Sequence, residues 1–120
     1  MRNLILLFVF IFGLNAFSQE TISADKAKDF LEKTVVVKGK VVSFKLASEG
    51  KKLNYINIDK KYPENIFSVV ISNDYLPKLN IKIEDLKDKT ILIKGKITVY
   101  KNDSKQTPQI FNPESIEVLR

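Results

Sequence analysis

Lysines interleaved with aromatic and amide side chains are the feature of this sequence that could do chemistry. A lysine ammonium binds phosphate as a point charge, whereas a flat ring such as that of Tyr55 can stack on a nucleic-acid base. An amide such as that of Asn57 can hydrogen-bond a base edge or tie down a loop. The pattern therefore predicts a site for an extended polyanion. The candidate ligand-binding residues are Lys38, Lys40, Lys45, Lys52, Tyr55, Asn57, Lys60, Lys101 and Lys105.

Histidine and cysteine are both absent from the chain. Their absence excludes Ser-His-Asp and Cys-His nucleophiles and every metal site that needs an imidazole or a thiolate. An acidic group at Glu84, Asp85 and Asp88 is interleaved with lysines, which is typical of a solvated surface, because a hard cation needs several convergent oxygens. We therefore predict a protein that is not an enzyme and that holds no cofactor and no metal.

The first 18 residues have the pattern of a cleaved signal peptide. A short positive start precedes the apolar run Leu4–Leu14, and the small residues Ala16 and Ser18 stand at the two positions that a signal peptidase recognises. The run is shorter than the roughly 20 residues of a spanning helix, although an uncleaved anchor remains the alternative. The sequence thus predicts a periplasmic or secreted protein, cleaved after Ser18, with one domain over residues 19–120 and no stable membrane insertion.

The charge of the chain is positive and comes almost wholly from lysine. Twenty basic residues stand against 14 acidic ones, a net charge of +6. Removing Arg2 with the leader leaves 19 against 14, or +5, with Arg120 as the remaining arginine. A lysine excess favours polyanionic partners, and it also serves solubility. Which of the two applies depends on whether the lysines share one face with Tyr55.

Two segments nearly repeat one another, and both are predicted to be long β-strands. Thr34–Lys45 reads TVVVKGKVVSFK, and Thr90–Lys101 reads TILIKGKITVYK. β-Branched residues dominate both, and the central glycine marks a bulge or a tight bend in a small closed sheet. Alternation puts the odd positions 35–43 and 91–99 on the core face and turns the lysines and Phe44 outward. Phe44 and Tyr100, at matched positions, are expected to share a structural role under the loops.

The remaining predicted elements are shorter. In a second strand at about Leu53–Asp59, Ile56 and Ile58 point inward and Tyr55 and Asn57 outward. The others are a helix from Ser23 to about Lys33, a third strand at Ile66–Ser72 covered on both faces, a helical turn within Asn73–Leu79, a loop or short helix at Ile81–Lys89, a fifth strand at Gln106–Asn112 and a tail, Pro113–Arg120, that closes the sheet or caps the core.

This order of elements resembles an OB-fold, the five-stranded Greek-key barrel in which the first and fourth strands pair. A closer likeness rests on the stretches Tyr55–Ile58, Tyr62–Asn65, Phe67–Ile71, Lys94–Lys96 and Pro108–Ile110. Together these resemble the small exported bacterial OB-fold domains of the nucleic-acid-binding, tRNA-anticodon-binding-like type. The resemblance spans roughly Thr34–Val118. It implies a mainly β barrel with an N-terminal helix and a short helix between strands three and four.

The resemblance also implies where a ligand binds. OB-folds bind on the outer surface of the second and third strands, between the loops after the first and fourth strands. The leading hypothesis is therefore weak, sequence-tolerant binding of single-stranded DNA or RNA through lysine–phosphate contacts and stacking on Tyr55. The rival hypothesis is an envelope protein that binds a protein partner, an acidic glycan or a cation on the same face. A purely structural role, with an exposed apolar edge, is the third. The oligomeric state is left open.

Overall fold

The computed structural model describes residues 20–100 and 103–119 of the chain. The predicted signal peptide, residues 1–18, and the candidate Lys101 lie outside the described residues. The strands are β1 (Thr21–Ser23), β2 (Thr34–Lys45), β3 (Leu53–Ile58), β4 (Ser68–Ser72), β5 (Thr90–Val99), β6 (Pro108–Phe111) and β7 (Ser115–Val118). The helices are a 3-10 helix at Ala24–Phe30, a single α-helical turn at Leu76–Leu79 and a second 3-10 helix at Ile83–Leu86. Across the described ranges, no helix combines the length and the apolar character that crossing a membrane requires.

Five of the strands pair in a closed ring. β2 pairs with β3, β3 with β4, β4 with β6, β6 with β5, and β5 again with β2; only the β4–β6 pair within this ring is parallel. The predicted mainly β fold and the pairing of its first and fourth long strands are thereby confirmed. The short strand β1 was not predicted, because three residues are too short to show an alternating pattern, and it adds to β2. β7 adds to β5 and lies in the Pro113–Arg120 tail, which was predicted to close the sheet or cap the core.

The two glycines of the sequence repeat lie where the long strands change partners. β2 pairs with β5 through residues 34–40 and with β3 from Val41, and β5 pairs with β2 through residues 90–96 and with β6 from Ile97. A Cβ atom at Gly39 would overlap the Ile58 Cγ2 methyl, and one at Gly95 would lie 2.5 Å from Ile110 Cγ2. Pairing is regular through both glycines. Each glycine of the repeat thus lies at the bend of its strand. Because glycine has no side chain, Ile58 can pack against Gly39 and Ile110 against Gly95.

A bulge follows in β2 and corrects the predicted faces of its second half. The register shifts between Val41 and Ser43, which pair with Ile58 and Asn57. One extra residue inverts the alternation beyond it, so Ser43 turns outward and Phe44 packs, half-buried, against the core. The sequence prediction had these two reversed. Tyr100, matched to Phe44 in the repeat, is 54% exposed, so the two matched residues differ in burial.

The core fills the ring and is covered at one end by the N-terminal 3-10 helix. Its largest fully buried side chains are Phe67, Ile56, Ile58, Ile71, Ile83, Ile91, Ile93, Ile97 and Ile110. The 3-10 helix adds Ala24 and Ala27, both buried, and the half-buried Phe30. β4 is buried from Ser68 to Ile71, which confirms that this strand is covered on both faces. A rigid ring of this kind holds its outward side chains in defined positions.

Candidate functional site

The outer face of β3, β4 and β6 carries a line of side chains that we call the aromatic row. Directly paired residues run across four strands in the order Lys45, Tyr55, Val70, Phe111. Tyr55 is 40% and Phe111 48% exposed, whereas Val70 between them is only 3% exposed. Neighbouring strands lie about 4.8 Å apart, so the two aromatic residues are roughly 10 Å apart at Cα. The row thus presents two accessible rings on one apolar floor.

A second line, the polar row, runs beside the aromatic row on the same face. It consists of the directly paired residues Ser43, Asn57, Ser68, Gln109 and Thr98. The Asn57 Nδ2 donates to Ser43 Oγ at 3.0 Å, and the Ser68 hydroxyl donates to Asn57 Oδ1 at 3.0 Å. Asn65 Nδ2 in turn donates to Ser68 Oγ at 2.8 Å. These bonds join β2, β3 and β4 across the sheet.

Asn57 is consequently not the accessible amide that the sequence predicted. It stands on the same face as Tyr55, as alternation requires, but only 8% of it is exposed. Both ends of its amide are already bonded within the polar row. A buried amide that is satisfied on both sides stabilises the sheet and has little left to offer a ligand. In this structure both ends of the amide are used in hydrogen bonds between strands.

The loop from β2 to β3, residues 46–52, borders one side of the rows and is held in place by Asn54. The Asn54 Oδ1 accepts from the backbone N–H of Ala47 at 2.8 Å, and its Nδ2 donates to Ile71 O at 3.0 Å and to Asn73 Oδ1 at 2.8 Å. Asn54 itself is 3% exposed. A buried amide with three partners fixes the path of the loop, and with it the positions of the loop's lysines.

Three lysines at the ends of this loop form no ion pair with a described residue. Lys45 ends β2, and Lys51 and Lys52 precede β3; all three are exposed. The ion pairs found within the described ranges involve Lys94 and Lys96 instead. The charges beside the aromatic row are therefore available to an anion.

The loop from β5 to β6 borders the opposite side of the rows. The Asp103 carboxylate accepts from the backbone N–H groups of Thr107 at 2.8 Å and Lys105 at 3.0 Å. The bond from Thr107, and next that from Lys105, hold the pKa of Asp103 below its ordinary value. Lys105 Nζ donates to Pro63 O at 2.7 Å, which links this loop to the β3–β4 loop, where the exposed Lys60 lies.

Lys38 and Lys40 do not join the rows. They stand on the outer face of the other half of the ring, which we call the lysine face: β2 residues 34–40 and β5 residues 90–96, with β1 and β7 beside them. Lys38 pairs with Leu92 and Lys40 with Thr90. Lys40 comes five residues before Lys45, about 17 Å along an extended strand. The predicted lysine set is therefore divided between two faces.

Two residues of the face were missed by the sequence prediction, Gln109 and Phe111. Gln109 is half-buried and Phe111 is exposed. Both alternate with the buried Pro108 and Ile110 in β6, so an inward Ile110 would have turned them outward. That four-residue alternation was the signal available. Their neighbourhood with Tyr55, in contrast, depends on the parallel pairing of β6 with β4.

The side chains at this face can bind a ligand through stacking, charge and hydrogen bonding. In the described part of the chain, no three His, Cys, Asp or Glu side chains come together in a way that could hold a metal ion. What the face offers is two stacking rings, three lysines without ion pairs and the amide of Gln109. Such a set can bind a flat or extended ligand.

Comparison with known proteins identifies the fold. No protein-family model matches the chain, and no curated protein does. Among solved structures, the chain resembles OBody AM3L15, seen bound to hen egg-white lysozyme, with 17% identity, a TM-score of 0.61 and coverage of 86% of this chain and 96% of that one. It also resembles yeast Stn1 and Ten1, with 16% identity, a TM-score of 0.59 and coverage of 87% and 64%.

A third resemblance is to a protein from Leishmania major Friedlin assigned as an aspartyl-tRNA synthetase. The identity is 11%, the TM-score is 0.56, and the match covers 85% of this chain. The chain spans only 21% of the length of that protein. At these identities the likeness is one of fold alone. Taken with the ring of strands, it shows that the described residues, 20–100 and 103–119, adopt an OB-fold.

Proposed function

We propose that this protein is a non-enzymatic OB-fold module that binds single-stranded nucleic acid on the aromatic row, weakly and with little sequence preference. The observation that carries the proposal is the pair of accessible rings, Tyr55 at 40% and Phe111 at 48% exposure, on one face of the sheet. Stacking on such rings contributes about 1–3 kcal/mol per base and tolerates any sequence, because every base has a flat face.

The lysines beside the row supply the electrostatic part of the proposal. Lys45, Lys51 and Lys52 are exposed and form no ion pair with the described residues. Three phosphate contacts to a single strand correspond to a slope of about −2 in a plot of log K against log salt. Lysine lacks the planar fork with which arginine grips a phosphate, so we expect weak binding.

Export is part of the same proposal. The apolar run Leu4–Leu14 and the small residues Ala16 and Ser18 support a leader that is removed after Ser18, which places the protein in the periplasm or outside the cell. Mass spectrometry of the protein recovered from the periplasm or the medium should give a chain that begins at Gln19. A chain that keeps Met1 and stays with the membrane would contradict export of a free protein.

Fluorescence anisotropy tests the binding. Purified protein is titrated into labelled dT12 and into a labelled 12-base-pair duplex at 50 mM and 150 mM salt. We expect micromolar affinity for dT12 at low salt, a preference over the duplex, and a salt slope of about −2. Tyr55→Ala should weaken dT12 binding by about 1–3 kcal/mol. Tyr62→Ala serves as the matched control, since Tyr62 is 78% exposed but lies in the β3–β4 loop away from the row.

Absence of binding at low salt would reject the nucleic-acid proposal, because a lysine-bearing surface binds a polyanion best under that condition. Binding that does not respond to Tyr55→Ala would place the contact elsewhere on the molecule. Equal binding of single strand and duplex would point to charge alone, without stacking.

A protein partner is the second candidate for this face. Leu46 is 40% exposed and follows Lys45, which pairs with Tyr55, so it adds an exposed apolar side chain in the loop that borders the aromatic row. Aromatic and aliphatic side chains of this kind form the centre of protein interfaces. The OBody that resembles this chain is itself bound to a protein, hen egg-white lysozyme. Binding to a protein partner would survive salt that abolishes binding to a polyanion.

A further inference from the structure

The two rings of the aromatic row differ in the polar side chain beside them. Asn57 lies two residues after Tyr55 on β3, and its amide is hydrogen-bonded to Ser43 and Ser68. Two residues before Phe111 on β6 stands Gln109, which forms no side-chain hydrogen bond with any described residue and is half-buried. A base stacked on Phe111 would therefore meet a free amide, whereas a base on Tyr55 would not.

The geometry lets this amide reach the edge of such a base. Gln109 and Phe111 point to the same face of β6, and residues two apart on a strand are about 6.7 Å apart at Cα. Gln109 also pairs directly with Ser68 and Thr98, so it stands in the middle of the polar row. Of the five residues in that row, Gln109 is the amide whose donor and acceptor are both unused within the described chain.

Resting on the proposed function, the geometry points to one specific nucleotide position: an adenine stacked on Phe111 and recognised by the amide of Gln109. A glutamine amide places an N–H donor beside a C=O acceptor, the arrangement that pairs with N7 and the N6 amino group of adenine. The same edge of guanine carries two acceptors, N7 and O6, and leaves the amide oxygen without a donor. Guanine, cytosine and thymine can pair with the amide only through the Watson–Crick edge, whereas adenine offers the amide two edges; a pyrimidine also covers less of the Phe111 ring.

The rest of the strand is bound without such recognition. Tyr55 supplies stacking, and Lys45 and the loop lysines supply phosphate contacts, neither of which distinguishes bases. Because the strand can slide along the row, a single adenine in a thymine oligonucleotide is enough to occupy Phe111. The site is therefore expected to take single-stranded segments that contain at least one adenine.

Anisotropy with three labelled oligonucleotides tests this inference: dT12, the same strand with one central dA, and the same strand with 7-deaza-dA, which keeps the purine ring but lacks N7. We expect the dA strand to bind about five-fold tighter than dT12, the low end of the gain for a bidentate amide–adenine pair. The 7-deaza strand should lose most of that gain. Gln109→Ala and Gln109→Glu should both abolish the preference, which is scored as the ratio of the dA-strand affinity to the dT12 affinity of the same variant, since the added charge of Gln109→Glu also weakens binding to every strand.

Gln106→Ala is the matched control, since it removes the same side chain from an exposed position in the β5–β6 loop and should keep the preference. Circular dichroism of both Gln109 variants checks that the fold is intact. Binding of dT12 that depends on Tyr55, but with no gain from dA, would overturn the adenine inference and leave the proposed function standing. No binding of any of the three strands would overturn both.

Discussion

The lysine face and the face that bears the aromatic row lie on the same ring of strands and differ in what accompanies their positive charges. On the lysine face, Lys94 Nζ lies 3.6 Å from Glu114 Oε1 and Lys96 Nζ lies 3.7 Å from Glu32 Oε1. Within the described chain, its outward positions on β1, β2, β5 and β7 carry no aromatic residue. Beside the aromatic row, Lys45, Lys51 and Lys52 form no ion pair with a described residue, as is also true of Lys38 and Lys40, so the exposed rings of Tyr55 and Phe111 are what sets this face apart.

The difference is the reason that we propose the aromatic row, and not the lysine face, as the binding site. The Lys-Gly-Lys motif is the most conspicuous pattern in the sequence, yet its glycines lie at the bend and two of its four lysines, Lys94 and Lys96, form exposed ion pairs. Exposed ion pairs of this kind contribute little to stability, about 0–1 kcal/mol. The stacking rings come from β3 and β6, which show no repeat. The predictions below test this division of roles.

The largest effect is expected from filling the bend beneath the lysine face. Gly95→Val would drive a branched side chain into Ile110, whose Cγ2 would lie 2.5 Å from a Cβ at this position. Overpacking of this kind should lower the free energy of unfolding by about 3 kcal/mol. Urea denaturation followed by circular dichroism measures the loss. The double variant Gly95→Val with Ile110→Ala restores the volume and should recover part of it. A Gly95→Val protein as stable as the wild type would mean that the bend does not need a glycine.

Truncating the second ring of the aromatic row should affect binding and leave the fold intact. Phe111→Ala removes a side chain that is 48% exposed, so we expect little change in stability. Affinity for dT12 should fall by about 1–3 kcal/mol, the value of one stacked base. Anisotropy measures the affinity, and thermal unfolding checks the fold. An unchanged affinity would remove Phe111 from the site and with it the contrast between the two faces.

Removing two lysines from one face or the other compares the faces directly. Lys45→Ala with Lys52→Ala and Lys38→Ala with Lys40→Ala change the net charge equally. The first pair should flatten the salt slope of dT12 binding from about −2 to about −0.7, whereas the second should leave it near −2. Anisotropy across a salt series measures both slopes. Equal losses in the two double variants would show that net charge, and not the position of the charge, governs binding.

The smallest effect concerns the β5–β6 loop, which lies on the polar-row side of the face. The backbone N–H groups of Thr107, and next of Lys105, hold the pKa of Asp103 below its ordinary value of 3.8. Above pH 3.8 the carboxylate is therefore ionised and accepts both hydrogen bonds. They are lost only as the pH falls through the lower pKa of the folded protein. In an amide-resolved NMR titration, the Thr107 and Lys105 signals should therefore shift at a pH below 3.8. A midpoint at or above the value of an unperturbed aspartate would contradict an ordered loop.

Much of the fold could be predicted because its determinants are local. The alternation of β-branched residues with lysines in residues 34–41 and 90–97 placed the core face and the outward lysines correctly. It failed at the bulge after Val41, where one extra residue reversed Ser43 and Phe44. No local pattern signals that insertion, because the reversal is defined only against the partner strand β3.

The candidate site could be predicted only in part. Tyr55 was recognised because alternation in a single strand makes it outward. Asn57 follows the same rule and is nevertheless buried, because its amide bonds to Ser43 and Ser68 of the neighbouring strands. Lys38 and Lys40 share the outward property but stand on the other half of the ring. Alternation states which side of its own strand a residue occupies, and it does not state which strands are neighbours.

The sequence by itself determined the five strands of the ring, their inward faces outside the β2 bulge, the bend at each glycine and the absence of imidazole and thiol chemistry. Each of these follows from the residues within one segment, because backbone propensity and alternation act over a few residues. Only the tertiary structure placed Phe111 and Gln109 beside Tyr55. That neighbourhood requires β6 to pair in parallel with β4 across a long stretch of chain, and it arises from closing the ring around a shared core.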